Sequence, residues 1–316
     1  MITFMKKFFI ALSILIGAQT VSAQQDYQFT HYMFDNLSFN PGYAGLNQSI
    51  CGTVLFRQQW AGFDGSPTTA LINVHAPIQA VRGGLGLAYL IDQLGFEKNN
   101  IARLSYSYHL GVGVGELGIG VSAGIIQKSF NAQWITPDQG AAFVPTDDQS
   151  IPINNASGVV PDFNLGLFYK TNQLFLGVST THIGGFEMED LNVKNVHHYW
   201  ITGGYNYQIN GDFMLRPSLL IKSDAASTIM DINVNALYKD MIWGGLTYRL
   251  GDAVAPMAGY QHTLSNGATL RVGYSYGITT SDLGNYNNGS HDIMLNHCFS
   301  LDKPPVLQKS NNPRCL

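Results

Sequence analysis

Leu270-Arg271-Val272-Gly273-Tyr274-Ser275-Tyr276-Gly277-Ile278 alternates apolar side chains with small or polar ones at every step. In an extended chain, successive side chains point to opposite faces, so Leu270, Val272, Tyr274, Tyr276 and Ile278 share one side and Arg271, Gly273, Ser275 and Gly277 the other. The same period recurs along most of the sequence, with no helices to cover the apolar faces. Such a chain must close on itself and use lipid as its outer solvent.

Working outward from this stretch, about fourteen strands of roughly 8 to 13 residues can be placed, near the length that crosses a bilayer at a tilt. Their centres fall near Val54, Ile72, Leu87, Tyr106, Val121, Leu165, Leu176, Gly203, Leu219, Val234, Leu246, Ala258, Tyr274 and Leu295. The connections alternate in kind. One set is tight or glycine-rich: Lys170-Thr171-Asn172-Gln173, Ile209-Asn210-Gly211-Asp212, Tyr238-Lys239-Asp240 and Leu264-Ser265-Asn266-Gly267. Asn-Gly in these segments is expected to supply the positive φ angles of hairpin turns. The other set holds the long pieces Trp60 to Pro67, Phe130 to Val159, Gly184 to Asn195 and Thr280 to Ser290. Barrels of this class keep short turns in the periplasm and long loops outside, which orients the molecule.

Side-chain parity then divides two faces. Outward fall Leu85, Leu87, Tyr89, Ile91, Leu104, Tyr106, Tyr108, Leu117, Ile119, Val121, Phe163, Leu165, Leu167, Tyr199, Ile201, Tyr205, Tyr207, Leu246 and Tyr248. Inward fall Arg57, Arg103, Asp162, Arg216, Asp231, Arg249, Arg271 and Asp292, together with Asn164, Asn206, Asn233, Asn235, Asn296 and a set of glycines. Charges of both signs on one face point to a network that braces the wall, because an unpaired buried charge is costly. A solvated pathway is the alternative, with Phe130 to Val159 as a constriction loop.

Composition agrees with an exported all-β protein: 34 Gly, 17 Phe and 16 Tyr in 316 residues, and 12% charged residues. Soluble domains carry about twice that charge. A formal net charge of −4 without basic clusters gives no reason to expect nucleic acid. At the start of the chain, Lys6 and Lys7 precede an apolar run from Phe8 to Gly17, and Val21-Ser22-Ala23 supplies small residues before Gln24. This reads as a secretory signal cleaved after Ala23. The expected organisation is a signal over 1–23, a plug-like periplasmic segment over 24–49, a barrel over 50–300 and a periplasmic tail over 301–316. Asp26 to Asn47 holds Tyr27, Phe29, Tyr32, Phe34, Phe39 and Tyr43, too many aromatics for a disordered linker. It is expected to pack into the periplasmic mouth, with docking of a periplasmic partner as the alternative.

Cys51 opens the first strand and Cys298 lies near the end of the last, and these strands are neighbours when a barrel closes. A Cys51–Cys298 disulfide is therefore plausible, with Cys298–Cys315 as a rival and free thiols as the third possibility. No catalytic constellation stands out. His197 and His198 are consecutive on a strand, point to opposite faces and cannot share a metal by strand geometry alone. Asp138, Asp147 and Asp148 lack the spacing of a calcium loop, and Gly111 to Gly115 leads into a strand rather than a phosphate-binding helix N-terminus. Neither enzymatic activity, a cofactor nor a metal is expected.

Several segments together resemble one family. Gln28-Phe29-Thr30-His31-Tyr32-Met33-Phe34-Asp35-Asn36 runs into Asn40-Pro41-Gly42-Tyr43-Ala44-Gly45, followed by Arg57-Gln58-Gln59-Trp60-Ala61-Gly62-Phe63-Asp64-Gly65-Ser66-Pro67. Gly84-Leu85-Gly86, Asp92, Gly95, Gly273-Tyr274-Ser275-Tyr276 and Ser290-His291-Asp292-Ile293 complete the set. In type and order these resemble the PorP/SprF outer-membrane proteins of the type IX secretion system of Bacteroidota. The resemblance implies an outer-membrane barrel accessory to secretion. Its partners would be a secreted surface protein, such as a gliding-type adhesin with a type B C-terminal domain, and other translocon or periplasmic ring components. The tail Leu301 to Leu316 departs from the family pattern, which makes anchoring a better expectation than a motor-related role. A channel for small solutes is the alternative.

A client should meet the long loops, since loops on a rigid wall carry recognition. Trp60 and Phe63 in the first, and Trp134 and Phe143 in the longest, suit interface anchors. Loops that merely cover the barrel are the plainer possibility.

Overall fold

The computed structural model describes residues 26–131, 156–191 and 193–300. The signal segment, the residues around Ala23, Trp134, Phe143, Cys315 and the tail lie outside them.

Fourteen strands form the wall: β1 (Ser49–Gln58), β2 (Thr68–Ile78), β3 (Gly83–Leu94), β4 (Glu97–Val112), β5 (Gly115–Phe130), β6 (Ala156–Lys170) and β7 (Leu174–Thr181). They continue as β8 (His198–Tyr205, prolonged by Tyr207–Gln208), β9 (Phe213–Ser223), β10 (Thr228–Tyr238), β11 (Ile242–Arg249), β12 (Ala253–Thr263), β13 (Thr269–Thr279) and β14 (Ser290–Ser300). Each is antiparallel to its neighbours, and β1 pairs with β14 from Ser49↔Ser300 to Gln58↔His291. The sheet is thus a closed barrel with no free edge, the arrangement that satisfies backbone polar groups in lipid. All fourteen strand centres read from the alternation fall inside these strands. β4, β5 and β6, at 15 to 16 residues, are longer than expected, and the long loop is correspondingly shorter, since β5 continues to Phe130 and β6 starts at Ala156.

The short-turn end departs from the expected chemistry in two places. Gly267 has a positive φ of 78°, but Gly211 does not. There the side chain of Asn210 carries the turn, its Oδ1 accepting from the backbone N–H groups of Asp212 and Phe213 at 2.9 Å each. In Tyr238–Met241, Lys239 and Asp240 take φ of 50° and 54° without any glycine. The reason is the twist of the flanking strands, which a tight two-residue hairpin matches only with left-handed central residues.

The outer face is a band of exposed apolar residues; on the opening strand Leu270, Val272, Tyr274 and Ile278 all face outward. No helix among the described residues is long and apolar enough to cross a membrane; the strands present the apolar face. The core lies inside the barrel. Buried Leu55, Leu71, Leu90, Ile101, Ile126, Trp243 and Met294 line it and pack against Phe29, Met33 and Phe34 of the N-terminal segment. Glycines make room for this filling. On β13 of the opening stretch, a Cβ at Gly273 would come within 2.6 Å of the Trp243 ring.

Candidate functional site

The N-terminal segment decides what the lumen can do. Instead of sitting in the periplasmic mouth, residues 26–48 run the length of the interior, from Asp26 beside His182 and Lys222 at the long-loop end to Gln48 beside Glu116 at the short-turn end. Phe29, Tyr32 and Tyr43 are buried and Phe34 is half-buried. Phe34 packs on Trp243 with ring centroids 4.9 Å apart, Phe39 stacks on Trp200 at 5.2 Å, and Tyr43 meets Phe168 edge-on at 5.0 Å.

Local chemistry explains the path. Asn40-Pro41-Gly42-Tyr43 forms a short 3-10 turn with Asn40 as cap and Pro41 at its first position. The Asn40 amide also donates to the carbonyls of Leu167 and Val178, at 3.0 and 3.2 Å, tying the turn to β6 and β7. The inward glycines provide the groove: a Cβ at Gly120 would fall 2.1 Å from Gly42 N, and one at Gly118 would fall 2.0 Å from Gly42 O.

Three arginine–aspartate pairs brace the lumen toward the long-loop end. Arg57 pairs with Asp292 at 2.9 Å, Arg103 with Asp162 at 2.6 Å, and Arg249 with Asp231 at 2.9 Å through two parallel bonds. Each pair also holds the N-terminal segment. Thr30 N donates to Asp292 at 2.7 Å, Arg103 donates to Ser38 O at 3.0 Å, and Gln28 donates to Asp231 at 2.6 Å. Register makes two of the pairs direct, with Arg57 opposite Asp292 and Asp231 opposite Arg249. Arg103 and Asp162 sit two strands apart with Gly124 between them, and the missing side chain lets the guanidinium reach across.

A second cluster joins the segment's first described residue to the wall. His182 bridges two carboxylates, Nε2 to Asp26 at 3.0 Å and Nδ1 to Asp162 at 2.8 Å. Burial alone would push the His182 pKa down, but Asp26 and the hydrogen bond to Asp162 raise it to about 9. Burial would likewise raise Asp26, yet His182, His198 and Arg103 hold it well below the usual carboxylate range. Among the described residues, Asp26, His182 and His198 are the one group of three or more His, Cys and acid ligand atoms that all lie within 4.8 Å of one another. With a proton on His182 satisfying both carboxylates, the group is a complete ion-pair chain. His198 joins it through His182 and Asp26, not through its neighbour His197.

Arg216 and Arg271 do not belong to the bracing network in which parity put them. Opposite Arg216 the register places Asn235, and opposite Arg271 it places Gln261 and Asn296. Arg271 donates to Gln261 and Asn296 at 2.8 Å each, and Arg216 reaches only the sulfur of Met214 at 3.5 Å. Both line a cavity of about 420 Å³ at the short-turn end, together with Lys170.

At the barrel seam, Cys51 lies directly opposite Cys298 and their sulfurs are bonded, with the Cα atoms 4.0 Å apart. Outside, Trp60 is half-buried and Phe63 is 46% exposed. Their loop is hydrogen-bonded to the one between β13 and β14, through Ala61 N to Gly289 O at 2.7 Å and Asn288 N to Ala61 O at 2.6 Å. Two aromatics not picked out from the sequence are more exposed: Phe96 at 59% and Tyr286 at 78%. Lys170, Asp26 and His182 were also missed, because their partners lie far away in sequence and no local spacing marks them.

Comparison with known proteins agrees with this architecture. A family profile described as "Type IX secretion system membrane protein PorP/SprF" matches residues 21–297. No curated protein sequence matches the chain. Among solved structures, the chain is similar to the CymD monoaromatic hydrocarbon channel, with a TM-score of 0.52 and 11% identity over 85% of this chain and 93% of that one. It is also similar to the toluene transporter TodX of Pseudomonas putida, with a TM-score of 0.49 and 11% identity over 90% and 96%. At such identities the likeness is one of fold.

Proposed function

Since the chain belongs to the PorP/SprF family of type IX secretion membrane proteins, we propose that it is a non-enzymatic outer-membrane accessory that binds a secreted protein at its long-loop end and helps export or anchor it there. The client expected from the family is a gliding-type adhesin with a type B C-terminal domain. The N-terminal segment serves as a plug, and recognition falls to the outer loops.

The observation that carries this reading is the filled lumen. Segment 26–48 occupies the interior and is fastened to all three arginine–aspartate pairs, which suits a rigid platform better than a conduit. The hydrocarbon channels of similar fold lend no support to a channel role, since fold likeness at this identity does not carry function.

Affinity purification from detergent, combined with conductance in planar bilayers, tests the proposal. A closed barrel that retains a secreted surface protein supports it. An open ohmic pore that retains none sinks it. A chain lacking Asp26 to Asn47 should gain conductance, and one that does not would remove the plug from the account.

A further inference from the structure

The lumen is electrically uneven from one end to the other. Toward the long loops most of its cations are matched: Arg57, Arg103 and Arg249 each hold an aspartate, Lys128 holds Glu97 at 2.5 Å, and Lys222, which has no ion pair among the described residues, donates to the Asp26 carbonyl at 2.6 Å. Toward the short turns, Lys170, Arg216 and Arg271 face one cavity, and none of them makes an ion pair among the described residues. Among the described residues, no aspartate or glutamate lines that cavity. Among the described residues, Glu116 acts on Lys170 and Asp240 on Arg216 from outside the lining, while Arg271 repels both cations.

Three like charges gathered in a partly enclosed space oppose folding unless something compensates them. Solvent could do so at an open surface. Here the N-terminal segment forms one wall of the space with Phe34, Tyr43 and Asn47, Lys170, Arg216 and Arg271 are half-buried, and Lys170 Nζ is anchored by the Asn47 side chain. The Arg271 guanidinium is also held in place. Arg271 is fixed by two neutral oxygens, Gln261 Oε1 and Asn296 Oδ1, and these leave its charge uncompensated. Fixing an arginine with amides while withholding a carboxylate is the arrangement that receives an oxyanion from outside.

We propose that this cavity at the short-turn end is a binding site for a multivalent oxyanion, bearing carboxylate or phosphate groups, that is held by Lys170, Arg216 and Arg271. The volume of about 420 Å³ lies in the range of small-ligand sites and exceeds the needs of a single phosphate. Phe168, Phe175 and Tyr205 supply apolar walls for the body of the ligand, and Asn235 and Asn296 supply polar partners beside the charges. The site faces the periplasm in the orientation set by the turns, and it does not depend on client binding at the other end.

Titration calorimetry on the full chain in detergent at low salt tests the site, with citrate, inorganic phosphate and a tetraglutamate peptide as probes. At least one should bind with one site per chain and weaken as salt rises. Arg271→Gln and Arg216→Gln should each lower affinity about tenfold or more, the loss expected for a charge-assisted hydrogen bond. Arg216→Gln removes no side-chain oxygen contact, so it keeps the test valid if Arg271→Gln fails to fold, with heat-modifiable gel migration as the check on folding. Tighter binding of tetraglutamate than of citrate or phosphate identifies an acidic polypeptide as the source of the anion, and the reverse identifies a free small molecule. Absence of binding by all three probes, or equal affinity in Arg216→Gln and the natural chain, overturns the proposal.

Discussion

The carboxylate of Asp26 lies 3.0 Å from Nε2 of His182, so the beginning of the N-terminal segment is fastened to the wall just beyond the end of β7 by an ion pair that exists only while both ring nitrogens of the imidazole are protonated. The folded-state pKa of about 9 stands above the ordinary 6.5. The stabilisation from this pair is therefore complete below about pH 6.5 and is lost as pH rises through 9. Trp200 and Trp243 pack on the segment and report its docking. Tryptophan emission should shift to the red between pH 7 and 9.5, and His182→Gln should abolish that shift; a shift of unchanged size in the variant would show that His182 does not control docking.

Asp292→Asn should strip Arg57 of its partner at a site where both side chains are buried. Leaving such a charge uncompensated costs ~3–5 kcal/mol, read as a lower temperature for the heat-modifiable gel shift. The double change Arg57→Met with Asp292→Leu should recover most of the loss. A double variant no better than the single one would mean that contacts to Thr30, not the charge, dominate.

Gly120→Val should evict the Asn40–Gly42 turn, because its Cβ would meet the Gly42 and Pro41 backbone at 2.1 and 2.2 Å. The barrel wall should stay closed while the segment becomes cleavable by added protease and conductance rises. A protected segment in this variant would show that the wall itself yields.

Non-reducing peptide mapping should recover one fragment pairing Cys51 with Cys298. Cys298→Ser should lower the heat-modifiable midpoint, since the bond staples residues 247 apart in sequence and such staples contribute about 2–4 kcal/mol. Three alkylatable thiols in the natural chain would contradict the pairing.

Removal of residues 133–155, which leaves β5 and β6 intact, should abolish retention of the secreted client without unfolding the barrel. The pair Trp60→Ala and Phe63→Ala should weaken retention by tenfold or more if they are anchors, about the loss of 1.4 kcal/mol or greater. Undiminished display of the client at the surface in both variants would shift recognition to Phe96 and Tyr286.

Much of the barrel was legible in the sequence because its signal is local. Alternation with period two gave the strands and their faces, and the buried positions of Arg57, Asp162, Asp231 and Asp292 agree with parity. Turn chemistry was less legible: Asn210-Gly211 promised a positive φ at glycine, but the asparagine side chain supplied the turn instead. The role of the inward glycines was hidden as well. Gly118 and Gly120 look like neutral fillers on a strand until the Asn40–Gly42 turn is seen lying against them.

What the sequence determined by itself is which side of the wall each residue faces, because that depends only on odd and even positions along one strand. What the tertiary structure decided is which residue stands opposite which, because register is set between strands and closure joins the first to the last. Arg57 and Arg271 are indistinguishable by parity. Closure of β1 on β14 puts Asp292 opposite the first, and the register between β13 and β14 puts Asn296 opposite the second, which makes one a brace and leaves the other charged and unmatched in a cavity.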